Sequence, residues 1–192
     1  SPVVPPMVYR AFESENLESL EFGLKSDFFN GKARANIAVF SYDYENLQFQ
    51  ATDPDPYRGG VANIPNSEMD GVEIEFTALL GDSITFDMNL GFIDTEVTSE
   101  YEVLDNVLAY QYFFTEEQER YELREDVKGN MLAKTPEFTA DATLTYEGEL
   151  ASGNPINVIL QFIRRGEFMQ RVSNNSFVDT VPEYQIFNLT VG

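Results

Sequence analysis

The sequence predicts an all-β fold, namely part of a large antiparallel up-and-down transmembrane β-barrel. Apolar and polar residues alternate with period two along most of the chain, and short and long connections follow one another strictly. The apolar face also stays free of charge over a distance that suits a membrane. About seven strands and almost no helix are expected. Because eight strands are the smallest transmembrane barrel observed, the chain is expected to be a piece of a larger barrel.

Strand positions follow from the alternation. Even-numbered residues from Val72 to Leu80 are apolar, and the positions between them carry Glu73, Glu75 and Thr77. Residues 33–50 are rich in β-forming residues but alternate poorly, so this strand is predicted without an assigned facing. The other six predicted strands lie within residues 20–28, 71–80, 84–97, 138–146, 156–162 and 187–191.

The predicted connections are sorted by length. Tight turns are predicted around Asn30 and Gly31, around Gly81 and Asp82, and at residues 148–155, whereas long loops are predicted at residues 52–69, 98–134 and 171–182. Strict alternation of the two kinds puts all tight turns at one end of an antiparallel sheet, as in outer-membrane barrels. A soluble β-sandwich shows the same period-two pattern and remains an alternative.

The apolar face of residues 135–147 has the dimensions of a membrane strand. It runs from Phe138 to Tyr146, and at ~3.3 Å per residue this is roughly 26 Å of strand. Both ends are aromatic, as in the girdles that border the apolar band of a barrel. On neighbouring strands, charge enters the predicted apolar face only at Asp94 and Arg164, which are expected near the far interface.

Composition narrows the function classes. The 192 residues carry 33 Asp and Glu against 12 Lys and Arg, a net charge of −21 that disfavours nucleic acid as a partner. With no Cys and no His, thiolate nucleophiles, cysteine zinc sites and the usual general base are missing. We expect no enzyme activity, no catalytic residue, no metal site and no cofactor.

Several segments resemble TonB-dependent outer-membrane receptors, in the order and spacing of that family from about residue 13 to residue 192. Residues 162–167 and 184–191 also lie where that family has its corresponding strand motifs. The segments that carry the resemblance are ENLESLEFGLK at 15–25, ANIAVFSYDYENLQ at 35–48, NIPNSEMDGVEIE at 63–75 and GNMLAKTPEFTADATLTY at 129–146.

The resemblance implies a location, a function and partners. Residues 1–192 would be part of one receptor β-barrel in the outer membrane of a Gram-negative bacterium, with the plug domain and the last strands outside this chain. The receptor would import a scarce nutrient such as an iron–siderophore complex, energised by TonB acting through the plug. The implied partners are outer-membrane lipid, the plug, the remaining barrel strands and a small-molecule substrate such as a metal chelate. A passive porin and a soluble acidic β-sandwich that serves as a binding module are the alternatives.

Two groups of residues are candidates for contact with a substrate. The first should line the lumen, where a solvated inner wall is the alternative reading: Glu73, Glu75, Asp87, Asn89, Asp141 and Gln161. The second lies in the loop at 98–134, where an aromatic cluster would offer contact area at low entropic cost: Tyr110, Tyr112, Phe113 and Arg120. A solvated loop, helical at residues 116–128, is the alternative for the second group.

Overall fold

The computed structural model describes residues 12–52, 59–105, 107 and 124–192. Within these ranges β-strands dominate. The strands are β1 (Asn16–Phe28), β2 (Ala33–Thr52), β3 (Gly59–Leu80), β4 (Ile84–Val97), β5 (Glu102–Leu104), β6 (Arg124–Asp126), β7 (Phe138–Glu149), β8 (Pro155–Arg165), β9 (Phe168–Met169), β10 (Thr180–Val181) and β11 (Tyr184–Val191).

Seven of these strands form one antiparallel sheet in the order β1-β2-β3-β4-β7-β8-β11. Each long strand therefore pairs with the long strands that precede and follow it in the chain, as an up-and-down topology requires. The short strands form two separate ladders, β5 with β6 and β9 with β10. The prediction of seven strands in an all-β, antiparallel sheet is confirmed, and two packed sheets of a sandwich are not found among the described residues.

The register gives the sheet one apolar and one polar face. Directly opposed residues point to the same side, and Ile37, Ile74, Leu90 and Ala140 stand opposite one another across four strands. The next row on the same side toward the turn end is apolar from β2 to β11, through Phe76, Met88 and Phe162, and we call this side the apolar face. The row one residue further along, through Asn36, is polar.

Strand β2, whose facing the sequence left open, is placed by the same register. Ile37 and Val39 lie on the apolar face opposite Ile74 and Val72. Phe40 lies on the polar face, where its ring covers Gly71. The weak alternation of β2 thus reflects aromatic residues on the polar face.

Charge enters the apolar face where it was predicted. Asp94 stands opposite Asp70 between β3 and β4, and Arg164 stands opposite Ala140 between β7 and β8. Arg164 turns its guanidinium over the ring of Phe138, 5.5 Å from the centroid, and forms a 2.7 Å ion pair with Glu183. Its charge is therefore directed away from the middle of the apolar face.

The three predicted tight turns are present at one end of the sheet, which we call the turn end. Residues Phe29, Asn30 and Gly31 all have positive φ and connect β1 to β2. Gly81 (φ 76°) and Gly153 (φ 83°) serve the other two turns. Glycine is favoured at such positions because it has no Cβ to clash in the left-handed region.

The opposite end, the loop end, differs from the prediction at one connection. Residues 52–69 were predicted as a long loop, but β3 already begins at Gly59 and pairs with β2 up to Thr52. The prediction was wrong because the polar run from Asn63 to Asp70 does not alternate with apolar residues. The other two long connections contain the short ladders β5–β6 and β9–β10.

Among the described residues, none of the helical segments has the length and hydrophobicity needed to cross a bilayer.

We predict that Gly71→Ala destabilises the sheet by about 1–3 kcal/mol, because a methyl group there overlaps the ring of Phe40. Phe40 is buried and stacks on Tyr42 with ring centroids 4.8 Å apart, so the ring cannot move without losing that contact. Thermal unfolding of the single variants and the Phe40→Ala, Gly71→Ala double variant measures the coupling. Additive effects would contradict the assigned overlap.

Candidate functional site

The predicted lumen residues all lie on the polar face of the sheet. Glu75, Asn89 and Asp141 occupy one row across β3, β4 and β7. Asp87 and Gln161 belong to the next row toward the turn end, with Thr143 between them. The structure thus brings these residues together on one wall, while their contact with a substrate stays a prediction.

Cross-strand hydrogen bonds hold most of these side chains against the wall. Asn36 donates to Glu75 at 2.9 Å, and Thr77 donates to Asp87 at 2.8 Å. Asn188 donates to Gln161 at 3.1 Å. Side chains tied to a neighbouring strand in this way stiffen the wall and have less freedom to reach a passing molecule.

Asp141 and Glu73 differ in their environment. Asp141 receives two hydrogen bonds from Arg165, at 3.0 and 3.2 Å, which is the two-point geometry that guanidinium and carboxylate favour. Glu73 stands between Ala38 and Gly91 on the adjacent strands, so its neighbours are too short to cover it. Of the four candidate carboxylates, Glu73 is the one for which the described residues provide no side-chain hydrogen-bond donor, in contrast to Glu75, Asp87 and Asp141.

The loop candidates Tyr110, Tyr112, Phe113 and Arg120 fall outside the described residues. The base of their loop is described, because β5 pairs with β6 on either side of it. Helix was the alternative for residues 116–128, and Arg124–Asp126 is instead the strand β6. The paired strands bring Leu104 opposite Arg124 and so close the base of the loop.

The loop end contains its own hydrophobic core. Asn46 has a φ of 59° and lies where Pro65 interrupts the pairing of β2 with β3. Beyond this point the side chain of Ile64 packs against residues from the end of β4 and from both long loops. The buried members of this cluster are Ile64, Val97, Val103, Val127, Leu132 and Val172.

A buried ionic network joins the two long loops. Arg171 contacts Asp179 at 2.6 Å and Asp105 at 3.2 Å, and both carboxylates are almost completely buried. Ser173 also donates to Asp179, and Asn175 donates to Asp105 at 2.6 Å. Two buried carboxylates facing one guanidinium are stable here because further hydrogen bonds compensate their negative charge.

The pKa of Asp105 reflects this balance. Burial alone would raise it, but hydrogen bonds from Asn175 and from the backbone of Val107, together with the charge of Arg171, hold the pKa below its ordinary value. Asp105 is therefore ionised at neutral pH. Its negative charge is compensated within the protein by Arg171 and by the hydrogen bonds from Asn175 and Val107.

Asparagine side chains add a second connection between the long loops. Asn130 donates to the carbonyl of Val172 at 2.9 Å, while Asn174 both accepts from the backbone N–H of Met131 and donates to its carbonyl. The N–H of Lys134 donates to the carbonyl of Met169 at 2.7 Å. These bonds fix the polypeptide of one loop against the other.

A cavity of about 600 Å³ opens beside this core at the loop end. Its lining mixes aromatic, amide and charged side chains with alanines and small aliphatic residues. The aromatic, amide and charged side chains of the lining are Gln48, Phe49, Gln50, Tyr101, Glu102, Arg124, Lys134, Gln170 and Arg171.

Phe49 and Tyr101 form an aromatic wall of the cavity, with an edge-to-face contact and centroids 5.9 Å apart. Burial raises the pKa of Tyr101, while the positive charge of Arg124 opposes that rise. The phenol is accordingly protonated at neutral pH and can donate a hydrogen bond. In the described part of the chain, no group of three or more acidic side chains has the arrangement of a metal site.

A family model for TonB-dependent receptor-like β-barrels matches residues 5–192. The chain belongs to the TonB-dependent receptor β-barrel family. The predicted resemblance is confirmed. The family is one of outer-membrane receptors and transporters, so the polar face corresponds to the inside of a barrel wall and the apolar face to its outside.

Solved structures of similar fold support this membership. The siderophore receptor PiuA from Acinetobacter baumannii superposes with a TM-score of 0.63 at 19% identity, over 91% of this chain and 22% of that one. The ferric yersiniabactin uptake receptor FyuA from Yersinia pestis gives 0.63 at 16% identity, over 92% and 22%. The copper transporter OprC gives 0.60 at 14% identity, over 94% and 23%. The chain therefore spans less than a quarter of these receptors' length, and at such identity the likeness establishes the fold alone.

Sequence reasoning missed the ionic network and the cavity of this receptor barrel segment. Asp105 and Arg171 are 66 residues apart, and no local pattern connects them. In the sequence, Lys134 stands out only as the last residue of the predicted loop at 98–134. Its conformation, with a φ of 63°, is visible only in the structure.

We predict that Arg171→Met loosens both long loops, because it leaves two buried carboxylates without their cation. Loss of one partner from a buried pair costs about 3–5 kcal/mol. Limited proteolysis should then cut within residues 98–105, 124–134 and 166–182 much faster than in the native protein. The control is Arg34→Met, which removes an exposed ion pair with Asp27 near the turn end. Equal proteolysis of the native protein and Arg171→Met would argue against the network.

We also predict that the loop end loses stability in acid. Since the pKa of Asp105 is lower in the folded protein than in the unfolded chain, its contribution is complete above the ordinary carboxyl value near 4 and is lost as the pH falls below it. The hydrogen-exchange protection factors of the Val103 and Val127 amides, corrected for the intrinsic pH dependence of exchange, should fall on acidification over that range. The Asp105→Asn variant should show a weaker pH dependence, and an unchanged profile would contradict this assignment.

Proposed function

We propose that this chain forms part of the barrel wall and the extracellular loops of an outer-membrane receptor. The receptor imports a scarce nutrient, such as an iron–siderophore complex, and is energised through TonB. The observation that carries the proposal is a family barrel sheet with a continuous apolar outer face and a polar inner face. The long loops are packed together at one end of that sheet.

The apolar face supports a position in the outer membrane of a Gram-negative bacterium. Leu20 and Phe22 expose about three quarters of their surface, 76% and 74%, on a face that has no other layer of described residues over it. Large exposed apolar surface of this extent is stable against lipid tails but not against water. Outer-membrane lipid is therefore the first partner of the chain.

The free edges of the sheet support further partners within the same receptor. β1 and β11 each have only one neighbouring strand in the seven-stranded sheet. Unpaired backbone groups are not tolerated in lipid, so additional barrel strands are required on both sides. A plug domain within the closed barrel would contact the polar face, and TonB would act through that plug.

The loop end supports capture of a small molecule. Its two long loops share a hydrophobic core and a buried ionic network, so a cavity beside them keeps its shape before a ligand arrives. Preformed sites lose less conformational entropy on binding. The solved relatives include siderophore receptors and a copper transporter, which favours a metal chelate as substrate.

Family membership favours the receptor over a passive porin, because a porin needs neither a plug nor TonB.

The functional test is uptake of radiolabelled ferric chelates by iron-starved cells that either carry the intact gene or have it deleted. We expect uptake that requires both the gene and TonB. Uptake that persists without TonB would overturn active import in favour of passive diffusion.

A substitution tests the membrane position directly. Ala142 lies midway along the apolar face of β7, opposite Met88 and Phe162, so Ala142→Arg should destabilise the barrel by about 2–4 kcal/mol. Thr143→Arg is the matched control, because Thr143 lies on the polar face between Asp87 and Gln161. The difference is measured as the yield of folded protein in lipid vesicles, which is read from the change in gel mobility between unheated and heated samples. Equal tolerance of both variants would contradict the assignment of the two faces.

A further inference from the structure

A groove lies in the apolar face between β1 and β4, in the part of the face nearer the loop end. Its walls are the long side chains of Phe22 on β1 and Phe92 on β4, and Val39 and Val72 form its floor on the two strands between them. Since neighbouring strands are ~4.8 Å apart, the two walls stand roughly 14 Å apart. The groove has a volume of about 630 Å³, which lies within the range of small-ligand sites.

Two carboxylates lie at the end of the groove nearer the loops. Asp70 and Asp94 stand directly opposite each other on β3 and β4, and both are exposed and line the groove. Directly opposed residues have Cβ atoms ~4.5–5.5 Å apart, and two like charges in this arrangement destabilise a sheet. Among the described residues, no cation forms an ion pair with either carboxylate. A bound cationic group would relieve the repulsion between them.

The surroundings of these two carboxylates are also acidic. Glu68 and Glu96 form the next row toward the loop end, on the same two strands and the same side of the sheet. The segments outside the described residues leave the balance negative, because they contain more acidic than basic residues. These are Asp53, Asp55, Glu116, Glu117, Glu119 and Glu122 against Arg10, Arg58 and Arg120. An anionic group is therefore repelled at this end of the groove, and a cationic group is attracted.

An organic ammonium suits this position better than a metal ion. The described residues contain no group of three or more acidic side chains with the arrangement of a metal site. A primary ammonium has three N–H donors, so one such group can donate to Asp70 and Asp94 at the same time. Hydrogen bonds between two charged groups are about twice as strong as those between neutral groups.

We propose that this groove binds a membrane lipid whose head group carries a primary ammonium, with an acyl chain along Val39 and Val72 and the ammonium on Asp70 and Asp94. The proposal rests on the membrane position of the apolar face given above and adds the class of lipid. The apolar walls and floor suit a hydrocarbon chain, and the carboxylates lie where the apolar face ends, at the depth of lipid head groups. The apolar and charged parts of the groove thus follow each other in the same order as the chain and head group of the lipid.

The test compares two lipids that differ in the charge of their head groups. The intact receptor that contains this chain is placed in vesicles with equal amounts of phosphatidylethanolamine and phosphatidylglycerol, both with the same photoreactive acyl chain. Labelled peptides are identified by mass spectrometry after illumination. We expect labelling by phosphatidylethanolamine to exceed labelling by phosphatidylglycerol about threefold or more at Phe22 and Phe92. The internal reference is Leu160, which is exposed on the apolar face outside the groove, and there we expect nearly equal labelling.

Variants separate the role of the carboxylates from that of the groove. The Asp70→Asn, Asp94→Asn double variant should lose the preference between the two head groups while the acyl chains still label the groove. Val72→Phe should reduce labelling by both lipids, because a ring at this position fills the floor of the groove. Asp82→Asn is the control, since Asp82 is exposed in a tight turn at the opposite end of the sheet. Folding of each variant is verified by the change in gel mobility on heating.

Two additions to the vesicles identify the source of the bound cation. Glycerophosphoethanolamine, which is the soluble head group without acyl chains, should compete only weakly for the groove, and EDTA should leave the preference unchanged. Full competition by the soluble compound would indicate an amine site that needs no lipid chain. Loss of the preference in EDTA would indicate a metal ion that bridges the carboxylates to a lipid phosphate. Either result would overturn the lipid site proposed here.

Failure of this proposal is distinguishable from failure of the receptor function. Equal labelling by the two lipids at Phe22 and Phe92, or a preference that persists in the double variant, would overturn the ammonium site. Membrane position and import would be unaffected, because Ala142→Arg and TonB-dependent uptake test them separately. Equal tolerance of Ala142→Arg and Thr143→Arg would instead overturn both the membrane position and the lipid site that rests on it.

Discussion

Backbone hydrogen bonding between neighbouring strands is the constraint on which the rest of this structure depends. In lipid no water can satisfy an exposed N–H or C=O group, so each spanning strand must pair along its length on both sides. Pairing fixes the register, and the register fixes which side chains share a face. The apolar face, the polar wall and the grouping of the loops at one end all follow from this ladder. The same constraint makes the edges of β1 and β11 incomplete without further strands.

The ladder also explains where the large negative charge can be placed. Glu18, Asp43, Glu68 and Glu96 stand opposite one another across β1 to β4, on the side that becomes the apolar face further along the strands. They lie toward the loop end, beyond the last apolar row. Four carboxylates in one row would be very costly within lipid but are hydrated outside it. In the proposed membrane position, this row marks the end of the apolar face on these four strands.

Local patterns predicted what depends on local chemistry and missed what depends on distant partners. Alternation from Val72 to Leu80 predicted the strand and its facing, because period two is a property of the strand itself. The extension of β3 back to Gly59 could not be predicted, since this part of the strand lies beyond the apolar face and its residues do not alternate. In the sequence, Asp105 is one of many acidic residues in its loop. Its role could not be predicted because its partners Arg171 and Asn175 follow more than 60 residues later.

The cationic side chains at the loop end have different environments because of this long-range pairing. Arg171 lines the cavity, but two carboxylates that cannot reach water hold its charge, and moving it toward a ligand would leave them uncompensated. It therefore stabilises the shape of the site and contributes little net potential. Lys134 contributes to the same packing through its backbone, whose N–H donates to the carbonyl of Met169, while its side chain remains exposed. The shape of the loop end is thus held by a buried side-chain network and by backbone bonds, and substitution of Arg171 removes the first while leaving the second.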